Sequence, residues 1–260
     1  MTPPVGDLLV GYDGSRDASA AIATGARLLP GRTARVVHVW APPWADSALR
    51  HRVRRHASTL DQLTELMEHE GGEAALLVAA DGVALARAAG WAGEPSAKRA
   101  YGDPGLVLAR LAEEVRPAAV VVGSRGTSGV AAVLGSVSDF VVHHSPAPVL
   151  VVPPLLSRER AAASTGPVLV GDDGSAGAEH ARATADRLLG DRTVVVSRAP
   201  GGSARAVAAA LDTEAADHDA GVVVVGARGR SALRDLVVGS TAMAVLHHVH
   251  RPVLVVPTPS

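Results

Sequence analysis

The stretch VVVGSRGTSGVAAVLGS, Val120 to Ser136, returns near the end of the chain as VVVGARGRSALRDLVVGS, Val223 to Ser240. In each, a valine run ends at a glycine, a second glycine follows three positions later, and a Gly-Ser pair closes the segment. A run of β-branched residues without polar alternation is the pattern of a strand covered on both faces, as in a parallel sheet. Working outward, LLVGYDGS (Leu8 to Ser15) returns as VLVGDDGS (Val168 to Ser175), and VVHHSPAPVLVVP (Val141 to Pro153) as VLHHVHRPVLVVP (Val245 to Pro257). Three matches in one order mark an internal duplication, which governs the fold reading before any other signal.

The duplication divides the chain into residues 1–153, a polar and Ala-rich linker at 154–166, and residues 167–260. Short β-branched runs alternate with longer Ala/Leu segments, the pattern of βαβ units. The first copy is expected to carry strands near 7–12, 34–40, 97–101, 118–123 and 148–152, with helices between them. A helix should begin at Ser136, where SVSD resembles a capping box with a short acid. Asp13 to Gly123 spans 110 positions and Asp173 to Gly226 only 53, so the second copy lacks about 57 residues, enough for a helix and a strand. The fold expected is α/β, two doubly wound parallel-sheet domains with the second contracted to about four strands.

Composition narrows the functions. The formal net charge of −1 and pI near 6.8 give no general attraction to nucleic acid or anionic membrane. With no cysteine, disulfides and thiolate chemistry are excluded. The start MTPPVGDLLV has neither the basic nor the apolar region of a signal peptide, and the chain is read as cytoplasmic.

In a doubly wound sheet a ligand sits beyond the carboxyl ends of the strands where their order reverses. With the first and fourth strands adjacent there, Asp13 and the loop after Gly123 face one crevice. Gly123 and Gly126 allow close backbone approach, and Gly135 and Ser136 open a helix whose free amides attract anions. Asp13 suits a ribose hydroxyl. The GxxxxGK[ST] and GxGxxG patterns are both absent.

Both copies resemble universal stress protein domains, whose ATP-binding members carry Gly-x2-Gly-x9-Gly-Ser/Thr after the fourth strand and an Asp after the first. The resemblance implies an adenine nucleotide alpha hydrolase-like fold and binding of ATP or a related adenine nucleotide, with or without Mg2+. It implies at most weak hydrolysis, a role in stress response as a switch or buffer, and no catalytic residue. The implied nucleotide contacts are Asp13, Val39, Gly123, Gly126, Gly135 and Ser136 in the first copy, and Asp173, Gly226, Gly229, Gly239 and Ser240 in the second. It also implies pairing of the two domains through their last strands, with a further homodimer of whole chains left open.

The first copy departs from that pattern, with eight residues between Gly126 and Gly135 where the second has nine between Gly229 and Gly239. One residue displaces a helix start by up to roughly 3 Å. The pairs His143-His144 and His247-His248 read as helix C-terminal residues rather than metal ligands, Ser15 and Ser175 as helix caps rather than nucleophiles. Trp40 and Trp44 either stack on a base or pack. A nucleotide-free interaction scaffold on the same fold stays open as the second reading, and an adenylating enzyme would need a substrate domain that is not visible.

Overall fold

The computed structural model describes residues 8–40, 51, 53–91, 96–101, 103–125, 134–190, 192–198, 202–228 and 238–258. The first half carries strands β1 (Leu8–Gly11), β2 (Ala34–Trp40), β3 (Ser96–Tyr101), β4 (Val120–Gly123) and β5 (Val149–Val152). Its helices are α1 (Arg16–Leu28), α2 (Leu60–Ala88), α3 (Pro104–Val115) and α4 (Ser136–His144). Helix α5 (Ser157–Thr165) follows. The second half holds β6 (Val168–Gly171), α6 (Ala176–Leu189), β7 (Val194–Ser197), α7 (Ala204–Asp217), β8 (Val222–Gly226), α8 (Ser240–His248) and β9 (Val253–Val256).

The nine strands among the described residues form one sheet in the order β3-β2-β1-β4-β5-β9-β8-β6-β7. Within each half every pairing is parallel; at the seam β5 and β9 run antiparallel, Leu150 opposite Leu254. The fold is therefore mixed α/β with a four-strand second half, and the strand order reverses between β1 and β4 and again between β6 and β8. Val120, Val121, Val168, Val170, Val222, Val223 and Val224 are all fully buried, because helices cover both faces of the sheet. No helix among the described residues is long and apolar enough to cross a membrane.

Among the described residues the second half has no counterpart of α2 and β3. Leu108 of α3 packs against Gly11 and Leu211 of α7 packs against Gly171, so α7 takes the place of α3. In the first half, α2 seats on the sheet through Gly82: a Cβ there would come within 2.7 Å of the Tyr12 ring and 2.8 Å of Val36. Ile22 is fully buried and Tyr12 nearly so in this layer. The second half is in register 160 positions later, and has Arg182 for Ile22, Asp172 for Tyr12 and Glu179 for Ser19. Arg182 and Glu179 are exposed, and Asp172 lies 3.7 Å from Arg198. Losing the covering helix would have left apolar surface in water at about 25 cal/mol per Å2, and these polar residues solvate it instead.

The segment between the halves is ordered around α5. Arg251, 5% exposed, lies 3.5 Å from Glu159 of α5 and 4.0 Å from Asp219. Arg158 donates from Nε to Asp219 at 2.8 Å, and this hydrogen bond holds the Asp219 carboxyl below its usual range. Arg192 donates to the carbonyls of Ala163, Ser164 and Gly166 at the end of α5, and to that of Arg27 in the last turn of α1. Its counterpart in register, Arg32, has a buried Nη1 without a partner, and burial together with Arg187 disfavours its charge.

Candidate functional site

Beyond β1 the chain turns on an Asp-Gly-Ser unit. Asp13 accepts the Ser15 amide on Oδ1 at 3.0 Å, Gly14 takes φ +79°, and Ser15 caps α1 by accepting the Ala18 amide at 3.0 Å. Only glycine adopts that left-handed backbone without strain. The amide of Tyr12 donates to Val37, and the Nδ1–H of His38 donates to the Tyr12 carbonyl at 2.8 Å, which ties the end of β1 to that of β2.

Beyond β4, Gly123 is required by close approach, since a Cβ would lie 2.9 Å from the Asp17 carbonyl carbon at the start of α1. The next loop closes at its base: Gly135 donates its amide to the Ser124 carbonyl at 2.7 Å, and Ser138 Oγ donates to the same carbonyl. Helix α4 begins at Ser136 with Gly135 as its cap residue and no side-chain cap. The expected capping box is absent, because Ser136 is the first helical residue rather than the cap, one position too late for Asp139 to reach back; Asp139 lies beside His143 instead. Uncapped first-turn amides are free donors for an anion.

These elements enclose a cavity of about 380 Å3. Asp13, Val39, Gly123, Gly135 and Ser136 all line it, together with Tyr12, His38, Arg125 and Ser138, and with Pro104 and Leu108 of α3. Gly126 lies outside the described residues, as does Trp44; Trp40 ends β2 and does not line the cavity. The sequence reading passed over Arg125 although its signal was present, since the arginine recurs as Arg228 while its neighbour changes from Ser124 to Ala227.

The second half repeats the junctions with different walls. Asp173 accepts the Ser175 amide, Ser175 caps α6, and Gly239 donates to the Ala227 carbonyl at 2.7 Å. That last bond has the same length as its counterpart in the first half, so the one-residue difference does not displace the helix start. The extra residue is taken up between the closing bonds, in a segment that includes Gly229 and lies outside the described residues. The walls differ. Where α1 has Asp17, α6 has Gly177, and a Cβ there would overlap the Arg228 carbonyl. Val37 is replaced by Ser197, whose hydroxyl hydrogen-bonds to Glu214 of α7. A hollow of about 220 Å3 in this half is lined by Val170, Asp172, Gly174, Ser175, Ala178, Glu179 and Arg182, where α2 would have lain; Asp173, Gly226, Gly239 and Ser240 do not line it.

Among the described residues the first-half cavity offers few protein donors for magnesium. Magnesium takes hard oxygen donors in near-octahedral geometry, commonly one or two carboxylates with phosphates and water. Among the described residues Asp13 is the one carboxylate in the lining, with one oxygen already accepting an amide. No group of three or more His, Asp or Glu suited to a metal occurs among the described residues. The last-turn histidines His143 and His144 instead place Nδ1 2.8 Å from the carbonyls of Asp139 and Phe140.

Comparison with known proteins agrees with this architecture. A universal stress protein from Archaeoglobus fulgidus DSM 4304 is similar over 98% of this chain and 99% of its own at 20% identity, with a TM-score of 0.66. PA1789 from Pseudomonas aeruginosa PAO1, described as functionally unknown, is similar over 98% of this chain and 93% of its own at 14% identity, TM-score 0.60. A universal stress protein solved in complex with cAMP is similar over 57% of this chain and 97% of its own at 22% identity, TM-score 0.41. None of the curated proteins matches. The sequence pattern of the universal stress protein family matches residues 5–153 and 202–257, most of the chain, and the protein belongs to that family.

Proposed function

We propose that the protein is a tandem universal stress protein that binds ATP or a related adenine nucleotide in its first half, acting in the cytoplasmic stress response as a switch or buffer rather than a catalyst. The observation that carries this reading is the convergence of Asp13, Val39, Gly123, Gly135 and Ser136 on one cavity beside an uncapped helix N-terminus. Asp13, with Oδ1 engaged by the turn, keeps Oδ2 for a ribose hydroxyl; Val39 offers an apolar wall to the base; the first-turn amides of α4 receive phosphate. The domains are 1–153 and 167–260, joined by 154–166, and the β5–β9 seam makes them a pseudo-dimer within one chain.

A second reading holds for the second half. The Ser197–Glu214 pair and the Arg228 backbone at Gly177 favour a domain kept for its surfaces, with Asp173, Gly226, Gly229, Gly239 and Ser240 surviving as a folding scaffold rather than a nucleotide site. Calorimetry with ATP on protein stripped of small molecules tests both. The expected result is a stoichiometry near one nucleotide per chain, weakened by Asp13→Ala and untouched by Gly239→Val. No heat at millimolar ATP defeats the nucleotide reading; two sites, or loss of binding in Gly239→Val, defeat the division between halves.

A further inference from the structure

Resting on that reading of the first-half site, we infer that it binds its nucleotide without a divalent cation, with the Arg125 guanidinium as counter-charge to the phosphates. A nucleotide tail carries several negative charges, which are balanced beyond backbone amides by metal or by cationic side chains. The donor set of this cavity decides between them.

Among the described residues the ionisable lining is Asp13, His38 and Arg125. One Asp13 oxygen is committed to the Ser15 amide, and the His38 ring donates to the Tyr12 carbonyl. Two acids on the adjoining elements are engaged: Asp103 caps α3 by accepting the Leu106 amide at 3.0 Å, and Asp139 lies 3.7 Å from His143. Among the described residues that leaves Asp17, whose backbone abuts Gly123, and the second Asp13 oxygen, a sparse set for a divalent cation. Residues 126–133, GTSGVAAV, carry no charged side chain, so the sequence of the adjoining loop adds no metal-binding carboxylate.

Arg125 is placed the opposite way. It lines the cavity one residue before Gly126, and its Cα lies 3.3 Å from where a Gly135 Cβ would stand, so its backbone abuts the start of α4. No acid pairs with it among the described residues. A planar guanidinium on a residue that lines the same cavity as the free amides of a helix start offers a fork of donors suited to phosphate oxygens. Magnesium bound to the nucleotide in solution would mask the charge that this fork recognises, so the metal should compete with the site rather than complete it.

The test is calorimetric titration of full-length protein with ATP and with AMP, at matched ionic strength, in excess EDTA and in excess MgCl2. The expected result is affinity in EDTA equal to or tighter than in magnesium, a loss of roughly 10-fold to 100-fold in Arg125→Gln, and partial recovery in Arg125→Lys. Because Arg125 is partly exposed, the variants should fold, which unchanged thermal unfolding verifies. Binding that requires magnesium, or an Arg125→Gln affinity equal to wild type, overturns the inference while leaving nucleotide binding intact. No heat in either buffer overturns the nucleotide reading itself, and this inference with it.

Discussion

The two ends of the sheet begin from the same local chemistry and reach different results. Both halves close a glycine loop onto a strand with an amide–carbonyl bond of 2.7 Å, and both turn from their first strand through Asp-Gly-Ser into a serine-capped helix. Yet the first gathers its polar groups around a cavity of about 380 Å3, and the second places a Ser197–Glu214 hydrogen bond and the Arg228 backbone in the corresponding walls. The comparison teaches that a repeated motif specifies a junction, whereas a site also needs walls, which come from residues and elements outside the motif.

The largest effect that can break this comparison comes from exchanging the residues beneath α2. Ile22→Arg would bury an unpaired charge under a helix whose acids Asp61, Glu65, Glu68, Glu70, Glu73 and Asp81 all face solvent, and should destabilise by roughly 4 kcal/mol or more. Arg182→Ile, the reverse change at the uncovered position, should stay within about 0.5 kcal/mol. Urea denaturation of both variants measures the difference; equal costs would mean that α2 does not cover Ile22.

Next is the pair of arginines in register. Arg192→Ala removes the donor to four carbonyls that join α5, α1 and the second half, and should cost about 2–3 kcal/mol. Arg32→Ala removes a guanidinium whose buried Nη1 has no partner and whose charge burial and Arg187 already disfavour, and should be neutral or stabilising. Thermal unfolding of each single variant sharpens the asymmetry.

Smaller effects follow where the halves agree. Ser15→Ala and Ser175→Ala each lose a helix cap and should cost about 1 kcal/mol, with similar values because the two caps have the same geometry. In a titration of the first site, only Ser15→Ala should also reduce nucleotide affinity. The smallest effect is expected at Ser124, 7% exposed, whose Oγ is buried without a partner. Ser124→Ala removes an unsatisfied hydroxyl and should be neutral or stabilising by up to about 1 kcal/mol, while Ala227→Ser should destabilise by a similar amount.

Much of the architecture was legible because it is local. The valine runs located strands within one to two residues, the shortened Asp173 to Gly226 interval forecast the loss of a helix and strand, and the Asp-Gly-Ser repeats marked the capped turns. The capping box at Ser136 was misread because the cap and the first helical residue differ by one position, and sequence pattern is weakest at element ends. Arg125 and Arg192 escaped notice because an arginine in a loop carries no local sign of what its guanidinium will meet. The Gly177 and Asp17 difference was visible in the sequence, but its meaning depends on a carbonyl from a loop some fifty residues away.

Duplication, parallel strand pattern, turn chemistry and the family resemblance were determined by the sequence itself, since each depends on residues close together along the chain. Which junction became a cavity, which surface lost its helix and was made polar, and which of two equivalent arginines found partners were decided only in the tertiary structure. The physical reason is that burial, wall packing and hydrogen-bond satisfaction are properties of groups brought together from distant positions, and identical local segments receive different neighbours at the two ends of one sheet.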